Sequence, residues 1–388
     1  MTDASTAVRT RPPLWRDVRA LSWAYQLAVL GGVLALLFWL YRNVQATSDQ
    51  IGIPVGFDFL DQPSAFTIPG NSLRTSQPVS DALWQGLGNT IRVSFVGIVL
   101  ATILGTLIGI ARLSSNWLLS TAARLYVEVL RNLPLLVIIF VTYSAIVLPV
   151  FPPIEDAWIV GDLAVFSNRG NGLPWFEGSG WAVIGVALLA AAGAWASARW
   201  RRSVSDRTGE LARTGAWAIP AFFVVAVALW LAFGLEITLP ERQGRIISGG
   251  IGVGPEYLAL LLALSLYTAS HIAEIVRASI QSVHRGQNEA ASALALSGFQ
   301  RMWYVVLPQA MRIAIPPVGN QYANLMKNSS LGAVISYFEL TTVTRTTVGN
   351  GSPAVPAFLL ALAIYLVVSL VISAFVNLAN RRMRLVER

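Results

Sequence analysis

Residues 270–331 read SHIAEIVRASIQSVHRGQNEAASALALSGFQRMWYVVLPQAMRIAIPPVGNQYANLMKNSSL. This stretch decides the organisation of the chain, because it joins two apolar runs through a hydrophilic segment with a periodicity of its own. Ala290, Ala293, Leu294 and Phe299 fall at helical spacing and predict a short amphipathic helix. A second short helix is expected over Phe299–Val305, stopped by Pro308, since proline disfavours helix at the residue before it. A compact pair of helices on a membrane face is a docking element of the helix-in-groove kind.

Outward from this loop, charge-poor apolar runs recur at about Leu21–Tyr41, Gly88–Ala111, Leu133–Phe151, Trp181–Ala198, Thr214–Leu235, Pro255–Val276, Ile313–Tyr337 and Pro353–Ala379. A run of about 20 residues at 1.5 Å per residue crosses about 30 Å of hydrocarbon. The composition agrees: 55% of the 388 residues are hydrophobic and 12% charged, against about 25% charged in a soluble domain. The fold class expected is all-α, a polytopic transmembrane bundle of about eight spans. The first run is longer than a signal-peptide core and is followed by no small-residue cleavage site.

The arginines orient the bundle. With the N-terminus in the cytoplasm, 20 arginines face inward and 7 outward, as the positive-inside rule requires. Both termini are then cytoplasmic, and the net charge of +8 needs no nucleic-acid partner. Trp175, Trp181, Trp195, Trp200 and Trp217 mark interfaces. Residues 1–20 read as a cytoplasmic tail, 21–81 as an extra span with an outer loop, and 381–388 as a second tail. The main membrane domain covers 82–380, with an insertion at 151–254 and a cytoplasmic loop at 279–312. A short helix is expected near Asp81–Gln85, and Gly178–Leu235 reads as an inserted helical hairpin.

The loop carries a resemblance. Glu289-Ala290-Ala291 followed by Leu307-Pro308 is similar to the EAA loop of ABC importer permeases. Ala273-Glu274-Ile275-Val276-Arg277, Gly286-Gln287, Pro308-Gln309-Ala310, Pro316-Pro317 and Lys327-Asn328-Ser329-Ser330-Leu331 resemble the polar amino acid permeases. So do Gly88-Asn89-Thr90 and Arg131-Asn132-Leu133-Pro134. The resemblance spans about Trp84–Asn132 and Pro255–Leu370. It implies the type I ABC importer permease fold, in the longer form that pairs with a second, different permease. It also implies an ATPase subunit seated on the Glu289–Pro308 loop, a periplasmic amino-acid-binding protein, and a bacterial inner membrane. Where the family usually has glycine, six residues after Glu289, stands Ala295; Gly298 is expected to take over that turn.

Each candidate residue has a chemical reason. Glu289 is expected to order the loop, as an acid near a helix start. Gly286, Ala290, Ala291, Ala295, Gly298, Leu307 and Pro308 complete the ATPase-coupling set. Glu274 and Arg277 lie three apart on one helix face, so an ion pair would lower the cost of burying either. Lys327 interrupts the seventh run; a mid-span lysine costs roughly 2.5–3.5 kcal/mol, so a partner or an aqueous cavity is expected. With Asn320, Asn324 and Ser329 it forms the pathway or gate candidates. His271 is expected to bridge helices, and His284 has no evident task.

The chain has no cysteine and two histidines, which excludes disulfides and argues against a metal site. It contains no phosphate-binding G-x-x-x-x-G-K-[ST] loop. ATP is therefore expected on the partner subunit, with no cofactor and no enzymatic activity here. The rival reading is an ion-driven secondary amino acid transporter. It would need a carboxylate in mid-membrane, and Glu274, the candidate, lies near the cytoplasmic end.

Overall fold

A computed structural model describes residues 18–51, 56–70, 73–176, 180–209, 214–234 and 236–383. Most of both predicted tails, and the side chain of Trp181, lie outside what is described.

The first helix, α1 (Val18–Ile51), runs well past Tyr41. Its apolar side chains are exposed all round, so no described residue covers it. Residues 56–70 form a segment whose Phe59 and Ile68 pack against the start of α2 (Val79–Ala111). The short helix expected near Asp81 is the first turns of α2 itself. Helix α3 (Trp117–Asn132) ends where Leu133 turns extended before Pro134, and α4 (Leu135–Val141) leaves at 106° to it. A residue before proline avoids helix. A π-turn over Thr142–Val147 links α4 to α5 (Leu148–Val150).

The insertion contains strands that periodicity did not show. β1 (Trp158–Val160), β2 (Ala164–Ser167), β3 (Gly170–Leu173) and β4 (Trp175–Phe176) precede the hairpin of α6 (Gly180–Thr208) and α7 (Thr214–Phe233). After it come β5 (Ile237–Thr238), β6 (Glu241–Gln243), β7 (Ile246–Ser248) and β8 (Ile251–Val253). β8 pairs antiparallel with β3, placing Asn171 opposite Val253. A four-stranded sheet in the order β1-β2-β3-β8 therefore ties the base of the hairpin together.

Helix α8 (Pro255–Gln281) is the axis of the molecule and buries two thirds of its most apolar window. It packs on α2 along Gly97, Ala101, Gly105 and Gly109, a small residue every fourth position. A Cβ at Gly105 would stand 2.7 Å from Ile272, and one at Gly109 would stand 2.7 Å from the Ala273 carbonyl. Without hydrophobic drive between helices in lipid, such close backbone approach supplies the contact energy. After α8 follow α9 (Arg285–Ala293), α10 (Gly298–Arg301), a π-turn at Met302–Val306, α11 (Leu307–Asn328), a 3-10 stretch at Ser329–Ile335, α12 (Leu340–Gly349) and α13 (Ala354–Met383).

Five described helices are long and apolar enough to span a membrane: α1 (from Leu21), α2, α7, α8 and α13 (to Leu378). The bent pair of α3 with α4–α5 makes six. The other two expected runs are the helices α6 and α11, which do not meet that measure of length and apolarity.

Candidate coupling loop and pathway face

The loop after α8 is built from side-chain caps. The His284 ring opens α9 by accepting the Gly286 amide at 3.1 Å, a role that its sequence context did not suggest. At the other end the Leu296 amide donates to the Ala291 carbonyl (3.2 Å) and the Ala295 amide to Ser292 (2.9 Å). These two bonds form a Schellman closure, whose C′ residue takes left-handed backbone. That residue is Ala295 itself, at φ +55°. Gly298 does not take over the turn; it is the first residue of α10, which Ser297 and Gln300 start with a reciprocal capping box.

Pro308 does not stop the second short helix. Helical backbone runs unbroken from Gly298 through α11. The π-turn at Met302–Val306 widens the coil just before Leu307 and Pro308, where an ordinary helix would drive the ring against the carbonyl four residues back.

Glu289 is the fifth residue of α9, beyond the first turn, where the dipole effect has faded. It is exposed and, among the described residues, accepts no hydrogen bond or ion pair. The ordering role expected for it is thus carried within this chain by other contacts. Arg301 donates to the Ser292 hydroxyl at 3.1 Å, tying α10 to α9, and Gln309 donates to Gln287 at 3.2 Å, tying α11 to α9. Ala291 is buried and Ala290 exposed. At the turn, Leu294 is 76% exposed and Phe299 75%. Phe299 stacks on Trp303 at 6.2 Å, and Trp303 and Tyr304 are exposed beside it.

Glu274 and Arg277 form the expected pair, with Arg277 Nε at 3.2 Å from the carboxylate. The sequence did not show the rest of the cluster. Arg112, at the end of α2, also bonds Glu274, and Arg131, at the end of α3, lies 3.6 Å away. One carboxylate, its side chain 25% exposed, thereby holds three helix ends together. His271, one turn earlier, packs edge-on against Tyr267 at 4.8 Å, and its buried Nε2 has no hydrogen-bond partner among the described residues.

Asn320, Asn324 and Lys327 share one exposed face of α11. The opposite side is fixed by Tyr322, hydrogen-bonded to Thr102 of α2 at 2.9 Å. Lys327 is not buried by its own chain and stands in the last turn of α11, where a cation suits the carbonyl end of the dipole. Ser329 does not join this face. It is fully buried, and its hydroxyl donates to the Met326 carbonyl at 2.7 Å.

A second buried carboxylate went unseen in the sequence. Glu339 caps α12, accepting the Thr341 amide (2.9 Å), the Thr342 amide (2.8 Å) and the Tyr365 hydroxyl (2.6 Å). Burial pushes its carboxyl above the ordinary range, while these bonds act the other way.

Comparisons with known proteins show the family of the chain. Residues 191–385 match the family described as binding-protein-dependent transport system inner membrane component. The chain is 38% identical over 377 residues to an Escherichia coli amino-acid ABC transporter permease protein, YhdX, covering 95% of each. It is 37% identical over 380 residues to the general L-amino acid transport system permease protein AapQ of Rhizobium johnstonii, covering 96% of this chain and 94% of that one. It is 36% identical over 411 residues to the glutamate/glutamine/aspartate/asparagine transport system permease protein BztB of Rhodobacter capsulatus, covering 96% of each.

Proposed function

Since the chain belongs to the inner membrane permeases of amino-acid ABC transporters, we propose that it imports polar L-amino acids as one half of a heteromeric permease. A separate ATPase docks on the α9–α10 loop. An external binding protein delivers the substrate to the opposite face, and both termini are cytoplasmic.

The apolar tip carries this reading. Leu294, Phe299, Trp303 and Tyr304 stand exposed on a loop that the arginine distribution places in water. Such side chains on a capped, cross-tied loop suit a groove on a partner. Glu289, unpaired among the described residues, is free to meet a donor across that contact. The Arg301–Ser292 and Gln309–Gln287 hydrogen bonds tie the tip to α11. Motion of the ATPase can then pass as a rigid-body shift into the helix that bears Asn320, Asn324 and Lys327. These three polar groups suit a zwitterion passing between two permease chains. The chain contributes no catalytic group and binds no ATP or other cofactor.

The test is purification of the tagged chain with its partners from native membranes in mild detergent. An ATPase subunit and a second, different permease are expected to stay bound. Phe299→Asp and Glu289→Arg are expected to cut ATPase recovery at least tenfold while leaving the second permease bound. Full ATPase recovery with both variants would remove the coupling role. Amino acid uptake that persists without any ATPase would favour an ion-driven transporter instead.

A further inference from the structure

A basic pocket of about 570 Å³ lies at the end of α8 opposite the coupling loop. Its volume falls in the range of small-molecule sites, about 300–1,000 Å³. Segments distant in sequence enclose it: α2 supplies Arg92, the inserted strands supply Arg169, Asn171 and Arg245, and the start of α8 supplies Glu256 and Tyr257.

The charges in it are unbalanced. Three guanidinium groups face one lining carboxylate. Arg245 is occupied at the rim by Glu155, at 3.2 Å. Arg92 and Arg169 have no ion-pair partner among the described residues. Arg92 is held in place all the same, its guanidinium 5.0 Å over the Tyr257 ring. Glu256 accepts one hydrogen bond, from the Tyr143 hydroxyl at 3.3 Å.

The wall also contains an unmet acceptor. Asn171 is 3% exposed, and its Oδ1 has no partner, while its amide nitrogen lies 3.5 Å from the Val253 carbonyl. The Asn171 Oδ1 is sealed off from the cavity, with less than 1 Å² accessible, so Glu256 is the lining acceptor left for a ligand ammonium. The pocket thus offers guanidinium groups for carboxylates and one carboxylate for an ammonium along a single wall.

We propose that this pocket binds a free amino acid with a carboxylate side chain before it enters the membrane path. Arg92 and Arg169 take its two carboxylates, for which the planar guanidinium fork is the matching donor. Glu256 takes the ammonium. The inserted hairpins then have a function: their turns supply two of the three arginines. The inference rests on the amino-acid import reading and adds to it a site and a preference for acidic over basic substrates.

The test uses the whole permease–ATPase complex in lipid nanodiscs without binding protein, with radiolabelled L-glutamate as probe and L-lysine as comparator. Glutamate is expected to bind and lysine to bind at least tenfold more weakly. Arg92→Gln and Arg169→Gln are each expected to raise the glutamate Kd at least tenfold. Gly252→Phe fills the pocket without removing a charge, since a Cβ there meets nothing within 4 Å, and is expected to abolish binding. Retention of the ATPase subunit shows that each variant has folded. Glutamate binding unchanged in all three variants, equal lysine binding, or no glutamate binding by the intact complex would each overturn the proposal. Binding-protein-dependent uptake in proteoliposomes separates the two readings. If uptake of some amino acid persists after the site fails, the import reading survives; if none is taken up, that reading falls first.

Discussion

Ala295 holds the closure of α9 in a conformation made for glycine. Its φ of +55° puts Cβ against the following carbonyl, at about 1–2 kcal/mol for an L-residue. Ala295→Gly removes that strain but gives the unfolded chain more freedom, about 0.4–1 kcal/mol in the other direction. The net expectation is a loop more stable by about 0.5–1 kcal/mol, since Ala295 is exposed and loses no packing. At 1.4 kcal/mol per tenfold, amide exchange by local opening should slow about two- to fivefold. The amides to watch are Ala295 and Leu296, which donate to Ser292 and Ala291. Hydrogen exchange read by mass spectrometry on the purified complex resolves that peptide. Ala295→Val should act oppositely, because a β-branched residue tolerates positive φ less well than alanine. Exchange unchanged or faster in Ala295→Gly, or unchanged in Ala295→Val, would refute the strain and with it the reading of this turn as a Schellman closure.

Two further outcomes concern buried carboxylates. Glu274→Gln leaves Arg112, Arg131 and Arg277 facing one another without an anion. The expected loss is about 1–3 kcal/mol, below the value for a fully buried pair because the site is partly exposed, and a melting temperature equal to wild type would remove the clamp from the account. Glu339→Gln keeps the volume but can turn only one oxygen toward the Thr341 and Thr342 amides. It should cost about 1–3 kcal/mol and speed exchange at the start of α12, whereas unaltered protection there would mean that the cap is not needed.

What the sequence made legible depended on whether a signal was local and periodic. The apolar runs became helices because twenty successive side chains repeat the same statement. The α2–α8 contact is also legible, as Gly97, Ala101, Gly105 and Gly109 fall every fourth residue. Pro308 misled because a proline reports which hydrogen bond is lost and not how backbone upstream can adjust; the π-turn at Met302–Val306 supplies that adjustment. Ala295 misled because a residue type states a preference, and the closing bonds of α9 override it. The inserted strands were illegible since each has only two to four residues, too few for alternation to show. Ser329 sat in a polar string beside Lys327, but the change from α11 to a tighter helix turns its hydroxyl inward.

Charge was legible by side and not by partner, and the difference points to function. Positive-inside counting put Arg112, Arg131 and Arg277 on one membrane face without saying that they converge on Glu274. The seven arginines on the other face are the exceptions to the rule, and orientation gives no reason for them. Arg242 is used structurally, donating to the Ile154 carbonyl at 3.1 Å. Three others, Arg92, Arg169 and Arg245, come from two distant stretches of chain and line one pocket. If outward arginines were scattered for solubility alone, no reason would bring them to the same cavity as an unmet buried acceptor. A requirement for an anion at the mouth of the path accounts for the convergence of the arginines, and on this proposal substrate preference lies in the part of the chain where the helical pattern is least informative.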